Sequence, residues 1–294
     1  MAKRRLTKQG FSIQGFDVQA YKQTESYVQA IDVLYNQAVA EFARLASRTN
    51  INPDKPFSFD DYPSTQATAQ SIVNQLASKM QAVIEKGSRE QWLYACKKND
   101  EFVASIMNTS RVSKALLNKM QDRNLDALDA FQKRKVGGLD LSKRVWKYAG
   151  QFRDTMEMGI DVGIGEGKSA QQLSKDLRQN LQDPDQLFRR VRDKRGQLHL
   201  SKAAKAFHPG QGVYRSSYKN AMRLTRSEIN MAYKHADQLR WQNLEFVVGY
   251  EVRLSNNHTL NGKPFKDICD KLAGRYPKNF VFKGWHPQCR CLVI

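Results

Sequence analysis

Three of the chain's four cysteines, Cys269, Cys289 and Cys291, fall in its last 26 residues, together with His286. Thiolates and neutral imidazoles are the ligands with which zinc fills a closed tetrahedral site. In His286-x2-Cys289 two side chains of one turn can converge on an ion, and His258 and Cys269 lie upstream. The set reads His258-x10-Cys269-x16-His286-x2-Cys289, with Cys291 competing for the last place. These spacings match no standard zinc finger. Three arrangements fit the residues alone: a zinc ion held by this set, a disulfide from Cys269 to Cys289 or Cys291, or buried and surface thiols and imidazoles with no joint role. Cys96, on an apolar helix face, reads as core.

Charge supplies the second chemistry. The chain of 294 residues has a formal net charge of +19, a balance that points to a polyanionic partner and says nothing about fold. From 186 to 226, eleven Lys and Arg face one acid, so about half the excess charge sits in one segment. Arg189, Arg190, Arg192, Lys194, Arg195, Lys202, Lys205 and Arg215 are its candidate phosphate contacts, as against an ordinary solvated face. Nucleotide binding by GIGEGKS (163–169) is not expected, because the phosphate-loop motif needs one residue more between its glycines and an apolar strand before them. Asp267, Asp270, His258 and His286 could hold a divalent metal and activate water. No paired carboxylates and no Ser/His/Asp order stand out, so no catalytic residue is assigned and the expectation is a protein that is not an enzyme.

The elements that must carry these residues are mostly helical up to about residue 185. Tyr27, Ile31, Leu34, Tyr35, Ala38, Val39, Phe42 and Leu45 follow one helix face. The Pro- and Asp-rich stretch 51–64 breaks that helix. Further stripes start at Ile72, Trp92 and Leu116, and Leu141, Val145, Ala149, Phe152, Met156 and Ile160 form a longer seam. Gly137-Gly138 reads as a hinge, Ser169 with Gln172 as a capping box, and 188–201 as a β-hairpin around a turn at 193–196. A long helix is expected over about 218–244, then strands at 247–255 and 280–282. The fold class is therefore mainly α: a helical body with a small C-terminal α+β module. The expected domains are an N-terminal helical region (1–138), a central helical region with the basic hairpin and loop (139–245), and a small β-containing Cys/His module (246–294). No run approaches the 18 apolar residues of a bilayer-spanning helix. MAKRRLTKQG has no apolar stretch after its basic residues, so a secretory signal is not expected and synthesis in a cytosol is.

Four stretches carry a resemblance. MGIDVGIGEGKSAQQLSKDL (158–177) is a helix-glycine-helix of the form G-x-S-x-x-x-L-x-x-x-L. RLTRSEINMAYKHA (223–236) follows R-T-E-x-x-x-A-Y, with Arg226, Glu228, Ala232 and Tyr233 in place and Ser227 for the threonine. DICDKLAG (267–274) is similar to C-x-x-L-x-G, and HPQCRC (286–291) to H-P-N-C-R-C. Together, in this order, they resemble the phage Mu F-like minor head proteins, also called phage head morphogenesis proteins, over about residues 150–294. The family commonly has a second cysteine before Leu-x-Gly; Lys266 stands there in this chain, which makes His258 its candidate substitute. The resemblance implies a virion protein of a tailed-phage or prophage head, made in the bacterial host cytoplasm. It implies a place near the portal and other head proteins, a part in assembly and packaging, and sequence-independent DNA contact, without a membrane. In that setting HPQCRC is expected to clasp the chain end onto the helix of Arg226, Glu228 and Tyr233. For Arg226 and Glu228 a buried ion pair, a surface position and a site role all stay open.

Overall fold

The computed structural model describes residues 11–52, 55, 57–165, 167–183, 190–192, 195, 198–200, 214–256, 258–260 and 262–294. The fold is mainly α with a small three-stranded antiparallel sheet in the C-terminal region. The helices are α1 (Ile13–Arg48), α2 (Pro63–Ile106), α3 (Lys114–Met120), α4 (Leu125–Lys133), α5 (Leu141–Gly165), α6 (Ala170–Gln182), α7 (Ser217–Gln242) and α8 (Ile268–Leu272). The strands are β1 (Arg190–Arg192), β2 (Leu198–Leu200), β3 (Gly249–Arg253), β4 (Thr259–Leu260), β5 (Lys263–Pro264), β6 (Gly274–Pro277) and β7 (Leu292–Val293). No helix among the described residues is long and apolar enough to cross a membrane.

Contacts group the chain into two compact units, each made of separate stretches, whereas the sequence reading divides it into consecutive segments. One unit takes the chain up to Val28, Ile84–Arg134 and Leu224–Ile294; the other takes Gln29–Val83 and Lys135–Arg223. The interleaving follows from helix length, since α1, α2 and α7 each run from one unit into the other. The division at Arg134/Lys135 lies beside Gly137 and Gly138, whose φ values of +58° and +79° form a tight turn closed by the Val136–Leu139 bridge.

In the unit that holds the chain end, α2, α4 and α7 bury Trp92, Ala95, Cys96, Leu128, Phe131, Ala232 and Ala236 together. Gly87 permits close helix approach there: a Cβ would lie 2.5 Å from Ile229 Cδ1 and 3.0 Å from the Tyr27 ring. β3 is the central strand, with β6 and β7 antiparallel on either side. Its buried Tyr250 and Val252 join Trp241, Leu244, Phe282, Val293 and the three late cysteines in one core. Burying each large apolar side chain contributes about 1.5–3 kcal/mol.

Three expectations change here. The stripes starting at Ile72 and Trp92 belong to one 44-residue helix. Residues 280–282 are not a strand: GRYP (274–277) pairs with β3 instead, its Pro277 tolerated at the end of an edge strand. Phe282 is buried and Val281 exposed, so that alternation describes a coil laid on the core. Val248 lies before β3 and is 87% exposed.

In the other unit, α5 buries its whole expected seam from Leu141 to Ile160. Phe152 meets Tyr35 and Phe42 edge-on, and Phe42 packs on Phe59. The loop after α1 is tied down by α5 carboxylates: Phe57 N donates to Asp161 Oδ1 (2.7 Å) and Phe59 N to Glu157 Oε2 (2.8 Å). α6 buries Leu173, Leu177 and Leu181, and a Cβ on Gly163 would sit 2.6 Å from Leu173 Cδ1. Ser169 caps α6 by accepting from Gln172 N, but the Gln172 side chain turns to Asp176, so only half of the capping box forms. β1 and β2 pair antiparallel as the expected hairpin, Val191 opposite His199.

Candidate metal centre

Each late cysteine is aimed by a local device. Asp267 caps α8: its Oδ1 accepts from Cys269 N (2.7 Å), and Asp270 Oδ2 accepts from Asp267 N (2.8 Å). This reciprocal box holds a five-residue helix whose Cys269 is fully buried. Residues 284–289 turn tightly, with positive φ at Gly284 (+107°) and Gln288 (+64°) and Cys289 N donating to His286 O. At Gly284 the turn admits no side chain without crowding, since a Cβ would lie 3.1 Å from Cys289 Cβ and 3.5 Å from Lys234 Nζ. Cys291 is held by the pairing of β7 with β3.

These devices bring together groups far apart in sequence. Cys269 Sγ lies 3.8 Å from Cys289 Sγ and 3.1 Å from His286 Nε2. Cys291 is buried in the same core as Cys269 and Cys289. Two sulfurs bound to one tetrahedral zinc at about 2.3 Å lie about 3.8 Å apart, as observed; the S–N edge would be about 3.5 Å. His286 Nδ1 is 2.7 Å from Pro287 O and so donates to it, while Nε2 lies 3.1 Å from Cys269 Sγ and 3.0 Å from Asp267 Oδ2. A ligating histidine is oriented in this way by a carbonyl on its other nitrogen. Cys269, His286 and Cys289 thus form a cluster able to hold a metal ion, and all four cysteines of the chain are free thiols.

The electrostatics separate the thiols. The Cys289 thiol is held down at about 4, first by the hydrogen bond from Cys291 and then by the Lys234 charge and backbone N–H groups, against the cost of burial. Burial and the neighbouring Cys289 push Cys269 up to about 12. Cys291, donor to Cys289, is raised further. Before any metal binds, the cluster therefore carries one thiolate and two thiols.

His258 stands to one side of this group. Stacked on Phe265 and 8% exposed, it points Nε2 toward Asp270 Oδ2 (3.5 Å) and Asp267 Oδ1 (3.7 Å), and it groups with Asp267 and Cys269 rather than with His286 and Cys289. Its neighbours in this grouping are Asp267 and Cys269, while Cys291, just before β7, is buried in the core that holds Cys269 and Cys289.

The chain end is fastened to α7. Arg226 Nη1 donates to Gln288 Oε1 (3.2 Å), Gln288 N donates to Ser227 Oγ (3.1 Å), and Lys234 Nζ donates to Cys289 O (2.8 Å). No protein-family model, curated protein or solved structure matches this chain.

Arg226 and Glu228 do not pair with each other. Arg226 grips Glu25 with two hydrogen bonds (2.7 and 2.8 Å), and Glu228 accepts from Arg134 (2.8 Å). Residues two apart on a helix do not face each other, so each ties α7 to a different helix. Tyr233 packs on Lys98, which makes a buried ion pair with Asp237 (2.5 Å). Of the basic segment, Arg189, Lys194, Lys202 and Lys205 lie outside the described residues; Arg190 and Arg192 are on β1, and Arg195 is an exposed turn residue. The Arg215 carbonyl accepts from Gln151 Nε2 just before α7. Lys234 escaped the sequence reading. Its signal was a lysine on a helix face otherwise buried at Asp237, Gln238 and Trp241.

Proposed function

We propose that this chain is a head morphogenesis (minor head) protein of a tailed phage or prophage. In this reading it is a virion component made in the host cytoplasm, portal-associated, acting in capsid assembly and in DNA packaging or ejection. It contacts other head proteins and touches DNA through phosphates, whatever the sequence. One observation carries the reading: three stretches similar to that family, around Arg226, Cys269 and Cys289, meet in one cluster of side chains. The basic balance of the chain supports a polyphosphate partner.

Within this reading the cluster is a structural zinc site of the Cys3His kind, with Cys269, His286, Cys289 and Cys291 as ligands. Four protein ligands leave no open position for water or substrate, so the ion staples and does not catalyse. The basic hairpin and loop, Arg189 to Arg215, supply the DNA contact.

Two measurements test this. Elemental analysis of protein purified without chelator should give about one zinc per chain. Plasmid incubated with the protein and Mg2+ or Mn2+ should be bound and left intact. Strand cleavage abolished by His286→Ala or Asp267→Asn would overturn the reading in favour of a metal-dependent DNA-processing enzyme. Portal and terminase genes beside the coding sequence are the expected genetic setting.

A further inference from the structure

A groove of about 970 Å³ runs between α1 and α6 in the unit that carries α5 and α6. Its floor is made of small residues, among them Ala40, Ala43 and Ala170, and its cationic side chains are Arg44 from one wall and Lys175 and Arg178 from the other. All three cations are exposed, and no acidic side chain lines the groove among the described residues. Asp176, the carboxylate on α6 itself, is turned to Lys168 (2.6 Å) and Gln172 (2.8 Å). Lys175 and Arg178, three apart, share a face of α6 opposite its buried leucines.

We propose that this groove is a second binding surface for the phosphodiester backbone of double-stranded DNA, separate from the basic hairpin and loop. The inference rests on the DNA-contacting reading above and says where further contact is made. Charge complementarity favours this occupant. A groove with cations on both walls and small residues beneath matches a ridge of phosphates, whereas an apolar partner would leave three cations without counter-charge. Arginine and lysine contacts of this kind position a duplex without reading its bases. α6 reinforces the preference, because its N-terminal end carries partial positive charge toward the same groove.

The test uses the full chain and a fluorescent 30-bp duplex of arbitrary sequence, with affinity measured by anisotropy across a salt series. The reversal Arg44→Glu/Lys175→Glu/Arg178→Glu is compared with Lys79→Glu/Lys135→Glu/Lys147→Glu, which makes the same charge change at exposed positions of the same unit outside the groove. Groove reversal should lower affinity at least about tenfold more than the control and reduce the salt slope by about 2–3, close to 0.9 per lost phosphate contact. The milder Arg44→Ala/Lys175→Ala/Arg178→Ala should fall in between. Equal losses in both reversals, or a groove variant that binds like the wild type, would overturn the inference and leave the DNA-contacting reading standing. A wild-type chain that binds no duplex would overturn both, and preference for an acidic peptide over the duplex would assign the groove to a protein partner.

Discussion

Lys234→Met is the sharpest perturbation of the proposed zinc centre. One Zn2+ with three thiolates and a neutral imidazole carries a formal charge of −1, and Lys234, buried and donating to Cys289 O, is the cation placed to offset it. The point where a Gly284 Cβ would stand is 3.5 Å from Lys234 Nζ and 3.7 Å from Cys289 Sγ, so the ammonium and that sulfur are at most 7.2 Å apart. With an effective dielectric constant of about 20, that bound gives an attraction of at least about 2.3 kcal/mol, a factor of about 50 in an equilibrium constant. Methionine keeps most of the volume and the contact with Phe282 but loses the charge. Zinc affinity, measured by competition with a chromophoric chelator, should therefore fall about 50-fold in Lys234→Met and much less in Lys234→Arg. A folded Lys234→Met protein, shown by unchanged circular dichroism, that holds zinc within threefold of the wild type would refute this argument.

The thiol protonation pattern sets a pH dependence. Cys289, at about 4, is already a thiolate at neutral pH, while Cys269 and Cys291 must each lose a proton on binding. Zinc affinity should rise about 100-fold from pH 7 to pH 8; a 1000-fold rise would mean that Cys289 binds a proton in the metal-free state. Asp237→Ala strands buried Lys98 and Asn99 and should cost about 3–5 kcal/mol in urea unfolding. Lys98→Met/Asp237→Leu, which removes both charges, should cost clearly less; equal costs would argue against a charge-burial origin. Gly87→Ala places a methyl 2.5 Å from Ile229 and should cost about 1–3 kcal/mol by overpacking, whereas Gly150→Ala, which meets nothing within 4 Å, should leave the melting temperature within a few degrees.

The helical body could be read without coordinates because its signal is local. The seam from Leu141 to Ile160 repeats with the period of one helix face, and every member is buried in the folded chain. The alternation of 247–255 and the turn at 193–196 likewise mark strands. Failures came where local pattern is ambiguous. Phe280 and Phe282 alternate like a strand but serve as core plugs in a coil, and GRYP hides an edge strand between a glycine and a proline. The metal set was legible as a list of residue types, since His and Cys near a chain end are few. Its membership was not, because spacing cannot say which of the remote His and Cys side chains approach Cys269.

From its residues alone this chain determined its mostly helical character, its cationic balance and the cluster of soft ligands near residue 290, since periodicity, charge and composition are properties of the string. Tertiary structure decided everything that depends on distance between remote segments. It set Arg226 against Glu25 and not Glu228, brought Lys234 behind Cys289, and gathered Cys269, His286 and Cys289 while grouping His258 with Asp267 and Cys269. The physical reason is that partners for buried charges and thiols are chosen by how helices and short strands pack, and that packing minimises exposed apolar area and unpaired polar groups over the whole unit at once.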